Sequence, residues 1–588
     1  METTETNEAA GGKPQTPGSG WGLPLRTLRQ EAAVVIAAVA VFIGISAFKA
    51  LRQPYPYFDD VDFLDLGNRI RDAGGAGHLW GDLYAGRFTE SNRHPLYLAI
   101  LALFARPELA FHDDARVLAV ALGALALLAC WWTARRHFGR EAAALLAVML
   151  SGSGALVWTA SRECADTMLV AFWALSIGGI LDGARNGGAD DGPNRRAFLL
   201  AGVWGGLAYL SKGPGIFLPI CVALTLLARD RLRALQDLRG WLFGGAFALV
   251  SSPLWVRNLR VYHSPTYSLN SKYLWIDRLP DFAETFAPHA DALLPHGPRE
   301  YFARATPASL VWRVVIGLGE TIFHFGDALA LVAPGPGTVL HVAWVVLGVV
   351  LGGISVRLLW KRERGFARTF HLVHTVWWCL FLWFFNASGG ASRYFLPLVT
   401  TTLLPVLAAR LVEGGRLASR RFAAVAGLVT FSIAGTLALD REPTRAPDGW
   451  VEVETWLLGR LAPGESYAVD ARTHLQPRWL APRAHQVIIS ASWNMQPIPT
   501  DEMLRYLCEE HVRYVVLDAR SETSAVEPGG SRSRYLFYDR VPLEPDGSLP
   551  LTGFPGGLRP VYVGAESPRR WMVLETACPP AALAAALP

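Results

Sequence analysis

Long unbroken apolar runs follow one another from residue 32 to residue 438, and they constrain this chain more than any other feature. A run of that length satisfies its backbone polar groups in lipid only as a helix. Candidate spans cover 32–51, 115–134, 141–157, 167–182, 197–211, 214–228, 240–256, 338–357, 368–386, 394–411 and 421–438. Hydropathy and length therefore predict about eleven transmembrane helices. Of the 588 residues, 51% are hydrophobic and 21 are Trp, many at the ends of the runs, where an aromatic belt meets the membrane interface. The net charge of +5 is not a nucleic-acid signal, because Arg is gathered in short loops.

Those loops set the orientation. Arg135, Arg136 and Arg140; Arg185, Arg195 and Arg196; Arg229, Arg231, Arg233 and Arg239; Lys361, Arg362 and Arg364; and Arg416, Arg420 and Arg421 occupy alternate loops. The positive-inside rule assigns them to the cytoplasm, together with the N-terminus. The segment from Pro54, the loop around Asp166, the turn at Lys212, the stretch after Arg257 and the C-terminal region then lie outside. A multi-pass protein of the inner or plasma membrane is expected, with its C-terminal domain extracytoplasmic. Two apolar stretches do not fit as simple spans. Pro95 to Ala105 is too short, so a helix packed at the membrane surface is expected there. In 309–333, Arg313, Glu320, His324 and Asp327 fall along one helical face, which favours an interfacial helix over a pair of short spans.

The fold class is thus mostly α, a polytopic helical membrane protein with interfacial helices and a small C-terminal extracytoplasmic α/β domain. Residues 1–30 read as a disordered cytoplasmic tail, 31–439 as the transmembrane catalytic domain with its external loop 53–94, and 440–588 as the α/β domain. Within the last, Tyr467–Asp470, Gln486–Ser490 and Tyr514–Leu517 resemble short strands and Glu502–Glu510 an amphipathic helix. The six Cys form no CxxC pair. Cys130, Cys221 and Cys379 sit in apolar runs as small core residues, while Cys508 and Cys578 either bridge or stay free.

Chemistry is most plausible in the external polar segments. Asp59 and Asp60 follow Tyr55-Pro56-Tyr57-Phe58 and precede Asp62, Asp65, Arg69, Arg87, Glu90, Arg93 and His94. A solvated acidic loop is the bland alternative, but aromatic and Pro residues just before the pair hold it against the membrane, where a carboxylate can act as a general base. The next external loop, Trp158 to Asp166, ends where a helix re-enters lipid. An acidic residue there either faces a cavity or caps the helix. Arg93, Arg162, Lys212, Arg257 and Arg393 add positive charge on the same side, which suits a lipid-phosphate leaving group.

The order of Asp59-Asp60, Arg93-His94-Pro95-Leu96-Tyr97, Ser161-Arg162-Glu163-Cys164-Ala165-Asp166-Thr167-Met168-Leu169, Gly206-Leu207-Ala208-Tyr209-Leu210-Ser211-Lys212-Gly213-Pro214 and Arg393-Tyr394-Phe395-Leu396-Pro397 resembles the GT-C membrane glycosyltransferases. Within them it is most similar to the group holding the protein O-mannosyltransferases and the aminoarabinose transferases. The resemblance spans roughly residues 30 to 440. It implies transfer of one sugar from a polyprenyl-phosphate donor, with inversion, to a hydroxyl or phosphate of an envelope glycan, lipid or protein on the outer face. By the same resemblance, Asp59 is the acceptor base, with Asp60 beside it where Glu is usual. Asp166 is the second acidic residue, and Arg93, His94, Arg162, Glu163, Lys212, Arg393 and Tyr394 are donor-phosphate or substrate contacts. Partners implied are the lipid-linked donor, the acceptor and membrane lipids, with no nucleic acid. The sequence carries no dedicated metal-ligand cluster, and a carboxylate-held divalent cation is left open.

Two other readings compete. A transporter or flippase of lipid-linked sugars would line a path with its charges, yet the hydrophobic pattern has no repeated halves and the charges collect in loops. A non-catalytic envelope assembly protein would keep the body and lose the acidic motif, which is intact.

Overall fold

In the computed structural model the description covers most of residues 28–462 and shorter stretches around the strands beyond; 1–27, 53–58, 186–193, 276–297, 330–338, 386–391, 440–448, 471–484, 490–503, 519–550 and 579–588 are among the residues outside it. The expected N-terminal tail, the aromatic run before Asp59 and most of the Glu502–Glu510 helix fall outside the described residues.

The membrane body begins with α1 (Leu28–Leu51), which buries Val35, Ala38, Phe42 and Ile45 at three- and four-residue intervals and leaves Ile36, Val41 and Ile43 exposed. That is a helix with one face on protein and the other on lipid. Three short helices follow, α2 (Asp59–Asp72), α3 (Gly75–Ala85) and α4 (Pro95–Phe104). Pro95 occupies the first turn of α4, where a missing N–H costs nothing, and the helix buries Tyr97, Leu98 and Leu101 against α2 and α3. This short apolar helix matches the expected one.

The centre is built from α5 (Ala110–Phe138), α8 (Asp166–Arg185), α9 (Arg195–Ser211) and α11 (Leu238–Tyr262), packed in succession. Thr133 Oγ1 donates to the Ala174 carbonyl and Ser176 Oγ to the Ala201 carbonyl, both at 2.9 Å, tying neighbouring helices where water cannot compete. Gly202 lets α9 approach α11 closely: a Cβ there would lie 2.3 Å from the Phe243 carbonyl oxygen. Trp173 lies fully buried with its ring 5.0 Å from Trp378.

Around this centre stand α6 (Arg140–Ser151) and α7 (Gly154–Ala160), α10 (Phe217–Asp230), α12 (Pro298–Arg304), α13 (Pro307–Leu329), α14 (Val339–Arg362), α15 (Gly365–Phe385), α16 (Ser392–Val412) and α17 (Arg416–Leu439). The span expected over 141–157 is bent by 65° between α6 and α7, with the Ser153 hydroxyl capping the second piece. The span expected over 394–411 is α16, which includes a π turn at Val399–Leu403.

Among the described residues, α1, α5, α8, α13, α14 and α16 are long and apolar enough to cross a membrane, and α6 with α7 would make a seventh. The other expected spans are helices that do not meet this test alone. Two of them, α9 and α10, have only 17 and 14 residues. The structure thus establishes a mostly helical membrane body without establishing the count of about eleven. Over 309–333, where an interfacial helix was expected, α13 is one continuous helix whose length and apolar composition would also let it cross. Both ends of its polar stripe face protein, where Arg313 is buried and donates to the Phe384 carbonyl at 2.9 Å and Asp327 accepts from Ser392, while Glu320 between them is exposed. Its apolar face, with Val311, Val315, Leu318 and Ile322, is exposed instead.

Beyond the body, α18 (Trp450–Leu458) packs on a five-stranded sheet of order β2-β1-β3-β5-β4. Strands β1 (Ser466–Asp470), β2 (His485–Ile489) and β3 (Val512–Asp518) are parallel and coincide with the three expected. The antiparallel strands β4 (Leu558–Val563) and β5 (Trp571–Thr576) complete it. Cys508 and Cys578 form a disulfide that ties the β3 side to the end of β5.

Candidate active site

Five residues connect α7 to α8, and the charged groups in and just after this turn are all buried: Arg162, Glu163 and Asp166. A buried charge without a partner is prohibitively costly, so the chain must supply one for each. It draws them from three different elements. Arg162 donates through Nη2 and Nε to Asp60 Oδ2 of α2, at 2.9 and 3.2 Å. The coupling holds the Arg162 guanidinium above its ordinary range, although burial alone would lower it. Glu163 Oε1 lies 2.8 Å from His112 Nδ1 at the start of α5. Asp166, the first residue of α8, accepts from Lys212 Nζ at 2.6 Å on both oxygens. One short turn is thereby pinned to α2, α5 and the end of α9.

Lys212 is placed by the sequence that follows it. The turn Gly213–Ile216 folds back on α9, and at Gly215 a Cβ would lie 2.3 Å from the Tyr209 backbone, so only glycine fits. On the other side of this turn, His94 Nδ1 donates to the Tyr209 carbonyl at 2.6 Å, which fixes the proton on Nδ1 because a carbonyl only accepts. Burial, with the nearby charges of Arg257 and Lys212, pushes His94 down to about 4. It is a neutral imidazole at physiological pH.

Cations and rings then alternate across the site. The Arg162 guanidinium lies 4.9 Å from the Trp158 ring and that of Arg393 lies 5.7 Å from the same ring. Arg393 is also 5.5 Å, and Lys212 Nζ 5.4 Å, from the Tyr394 ring. Aromatic faces attract cations and space them without neutralising them. Trp378 Nε1 donates to the Tyr394 carbonyl at 2.9 Å and so anchors this end of α16.

Of the expected site residues, Asp60, Arg162, Glu163, Asp166, Lys212, Arg393 and Tyr394 are brought into this one chain of contacts. The Arg93 guanidinium lies 5.2 Å from the Phe63 ring of α2. Asp59 is the first residue of α2, and its side chain lies outside the described residues. Arg257 is buried and donates to the Glu90 carbonyl, holding the segment before Arg93. His112 and Trp158 were not singled out from the sequence. The available signal for His112 was a polar residue placed just before a long apolar run. Among the described residues no group of three or more His, Cys, Asp or Glu is arranged to hold a metal ion.

Residues 92–256 match the dolichyl-phosphate-mannose-protein mannosyltransferase family. A search of curated protein sequences returns no significant relative. Among solved structures, the chain is similar to ArnT from Cupriavidus metallidurans bound to undecaprenyl phosphate, at 13% identity and a TM-score of 0.51, covering 92% of this chain and 97% of that one. It is similar to the apo oligosaccharyltransferase of Archaeoglobus fulgidus at 14% identity and a TM-score of 0.55, covering 85% and 70%. The archaeal oligosaccharyltransferase AglB from the same organism, in complex with an inhibitory peptide and a dolichol-phosphate, matches at 14% identity and a TM-score of 0.51, covering 84% and 70%. At such identities the structures speak for the fold, and the mannosyltransferase match falls on the segment that carries the paired turn. The chain therefore shares the fold of these solved transferases, and its residues 92–256 match the mannosyltransferase family.

Proposed function

We propose that this protein transfers a single sugar from a polyprenyl-phosphate donor to an acceptor hydroxyl or phosphate on the outer face of the membrane, with inversion at the anomeric carbon. The observation that carries the reading is the ladder Arg162, Trp158, Arg393, Tyr394 and Lys212, a run of cations beside the acidic first loop. A departing phosphate needs such charge and little protonation. Similar folds have been solved with undecaprenyl phosphate and with a dolichol-phosphate, which supports a polyprenyl donor. Asp60 accepts from Arg162, so using it as the base would break a buried ion pair. That supports Asp59 as the base and a positioning role for Asp60.

In this mechanism the Asp59 carboxylate takes the acceptor proton, the acceptor oxygen bonds to the anomeric carbon, and the bond from that carbon to the phosphate oxygen breaks from the opposite face. The electron pair leaves with the polyprenyl phosphate, opposite Lys212 and Arg393. Asp166 holds the Lys212 ammonium in place. The N-terminus is assigned to the cytoplasm, and residues 440–588 to an extracytoplasmic domain. The test is release of polyprenyl phosphate by purified protein given polyprenyl-phosphate sugars and an acceptor extract. Asp59→Asn should lower turnover at least about 100-fold with the same thermal stability. Full turnover in that variant would remove Asp59 as the base. Movement of sugar lipid between leaflets without any transfer product would establish the flippase reading instead.

A further inference from the structure

A cavity of about 610 Å³ opens between α2, α3 and the segment 87–93. This volume is that of a small-molecule site, roughly 300–1,000 Å³. Its walls are braced from behind by α11. Arg257 donates to the Glu90 carbonyl, Tyr262 to the Thr89 carbonyl, and the Tyr84 and Ser252 hydroxyls lie 2.7 Å apart. The Glu90 carboxylate accepts from the backbone N–H of Asn92 and Arg93 at 2.5 and 3.0 Å, which fixes the wall from its own side. A cavity held this way is formed before any ligand arrives.

The lining alternates in sign. Asp65 lies 2.8 Å from Arg69, and Asp82 2.5 Å from Arg87, with Leu66, Ile70 and Phe88 between them. Burial raises the Asp65 carboxyl above its ordinary range against the opposing pull of Arg69. The Asn92 Oδ1 is buried without a hydrogen-bond partner among the described residues. Carboxylates and guanidinium groups balance, so the lining offers a phosphorylated ligand no net positive charge, and so many polar groups would be wasted on an acyl chain. Hydroxyl groups both donate and accept, so they satisfy carboxylate, guanidinium and amide alike, while the C–H faces of a sugar ring cover Phe88.

We propose that this cavity holds the acceptor, and that the acceptor is a neutral polyhydroxylated glycan. The proposal rests on the transferase reading above. Its placement follows from α2. Helical periodicity puts positions 59, 62, 66, 70 and 73 on one side, so the cavity lies along the face that begins at 59, while Asp60 turns to Arg162 on the other. The wall also runs from Arg93, on the cavity, directly into His94, which packs against the Lys212 turn.

The test is binding of the whole detergent-purified protein to an array of neutral and phosphorylated oligosaccharides, read beside release of polyprenyl phosphate by water alone. Neutral glycans should bind. Ala73→Trp, which fills the cavity, should weaken them at least 10-fold, and Asn92→Ala, which leaves the backbone bonds to Glu90 intact, several-fold. Neither should change release by water. No neutral glycan bound, preference for phosphorylated glycans, or binding untouched by both variants would overturn the proposal. Glycan binding that Ala73→Trp abolishes, with no transfer from any donor, would keep the cavity as a glycan site and remove the transferase reading.

Discussion

The ion pair of Asp60 and Arg162 makes a quantitative prediction. Their side chains are 2% and 11% exposed, and Nη2 and Nε both reach Oδ2, at 2.9 and 3.2 Å. At this separation and an effective dielectric constant of about 20, the attraction is about 6 kcal/mol. Desolvation of both groups offsets most of that, so the pair contributes little net stability while each single loss strands a buried charge. Asp60→Asn and Arg162→Gln should each destabilise the protein by about 3–5 kcal/mol, and the double variant by clearly less than their sum. Equilibrium unfolding in mixed detergent micelles, followed by intrinsic tryptophan fluorescence, measures all three. Because the Arg162 guanidinium lies 4.9 Å from Trp158, that fluorescence also reports the site itself. Effects additive within about 0.5 kcal/mol would refute the coupling, and with it the argument that Asp60 positions Arg162 rather than acting as base.

Three further outcomes are expected. Lys212→Met should weaken donor binding about 10-fold in a polyprenyl-phosphate binding assay, with partial rescue by Lys212→Arg, because the ammonium is a strong charge-assisted donor at this turn. His94 sits near 4 in the folded protein and near 6.5 when unfolded, so the unfolded state binds more protons between those values. Stability should fall as pH drops from about 6.5 through about 4, by up to roughly 3 kcal/mol, and His94→Gln should flatten that profile in thermal scans. The Cys508–Cys578 bridge spans 70 residues of sequence, and its removal should destabilise the sheet region by about 2–4 kcal/mol. Limited proteolysis should then cut the chain beyond residue 450 while donor binding is unchanged.

The three parallel strands were legible because short β-branched and aromatic runs bounded by polar residues carry a local signal. Strands β4 and β5 were not, since Arg559 and Pro560 obscure the alternation and the pairing of β5 with β3 is long-range. What the polar stripe of α13 packs against was not legible for a related reason. A polar stripe shows that one face differs, but only packing decides whether that face meets headgroups or protein. In α13 it meets the Phe384 carbonyl and Ser392.

By itself the sequence determined that this is a helical membrane protein, that its candidate site residues gather between the apolar runs, and which motifs they occupy. Apolar length, loop charge and motif order are local properties and survive in one dimension. The tertiary structure decided the partnerships: Asp60 with Arg162, Glu163 with His112, Asp166 with Lys212, and two guanidinium groups on one Trp158 ring. These contacts join residues far apart in sequence, 102 positions for Asp60 and Arg162 and more for Trp158 and Arg393. Nothing in the local sequence states them, because the need to neutralise a buried charge appears only once packing has buried it.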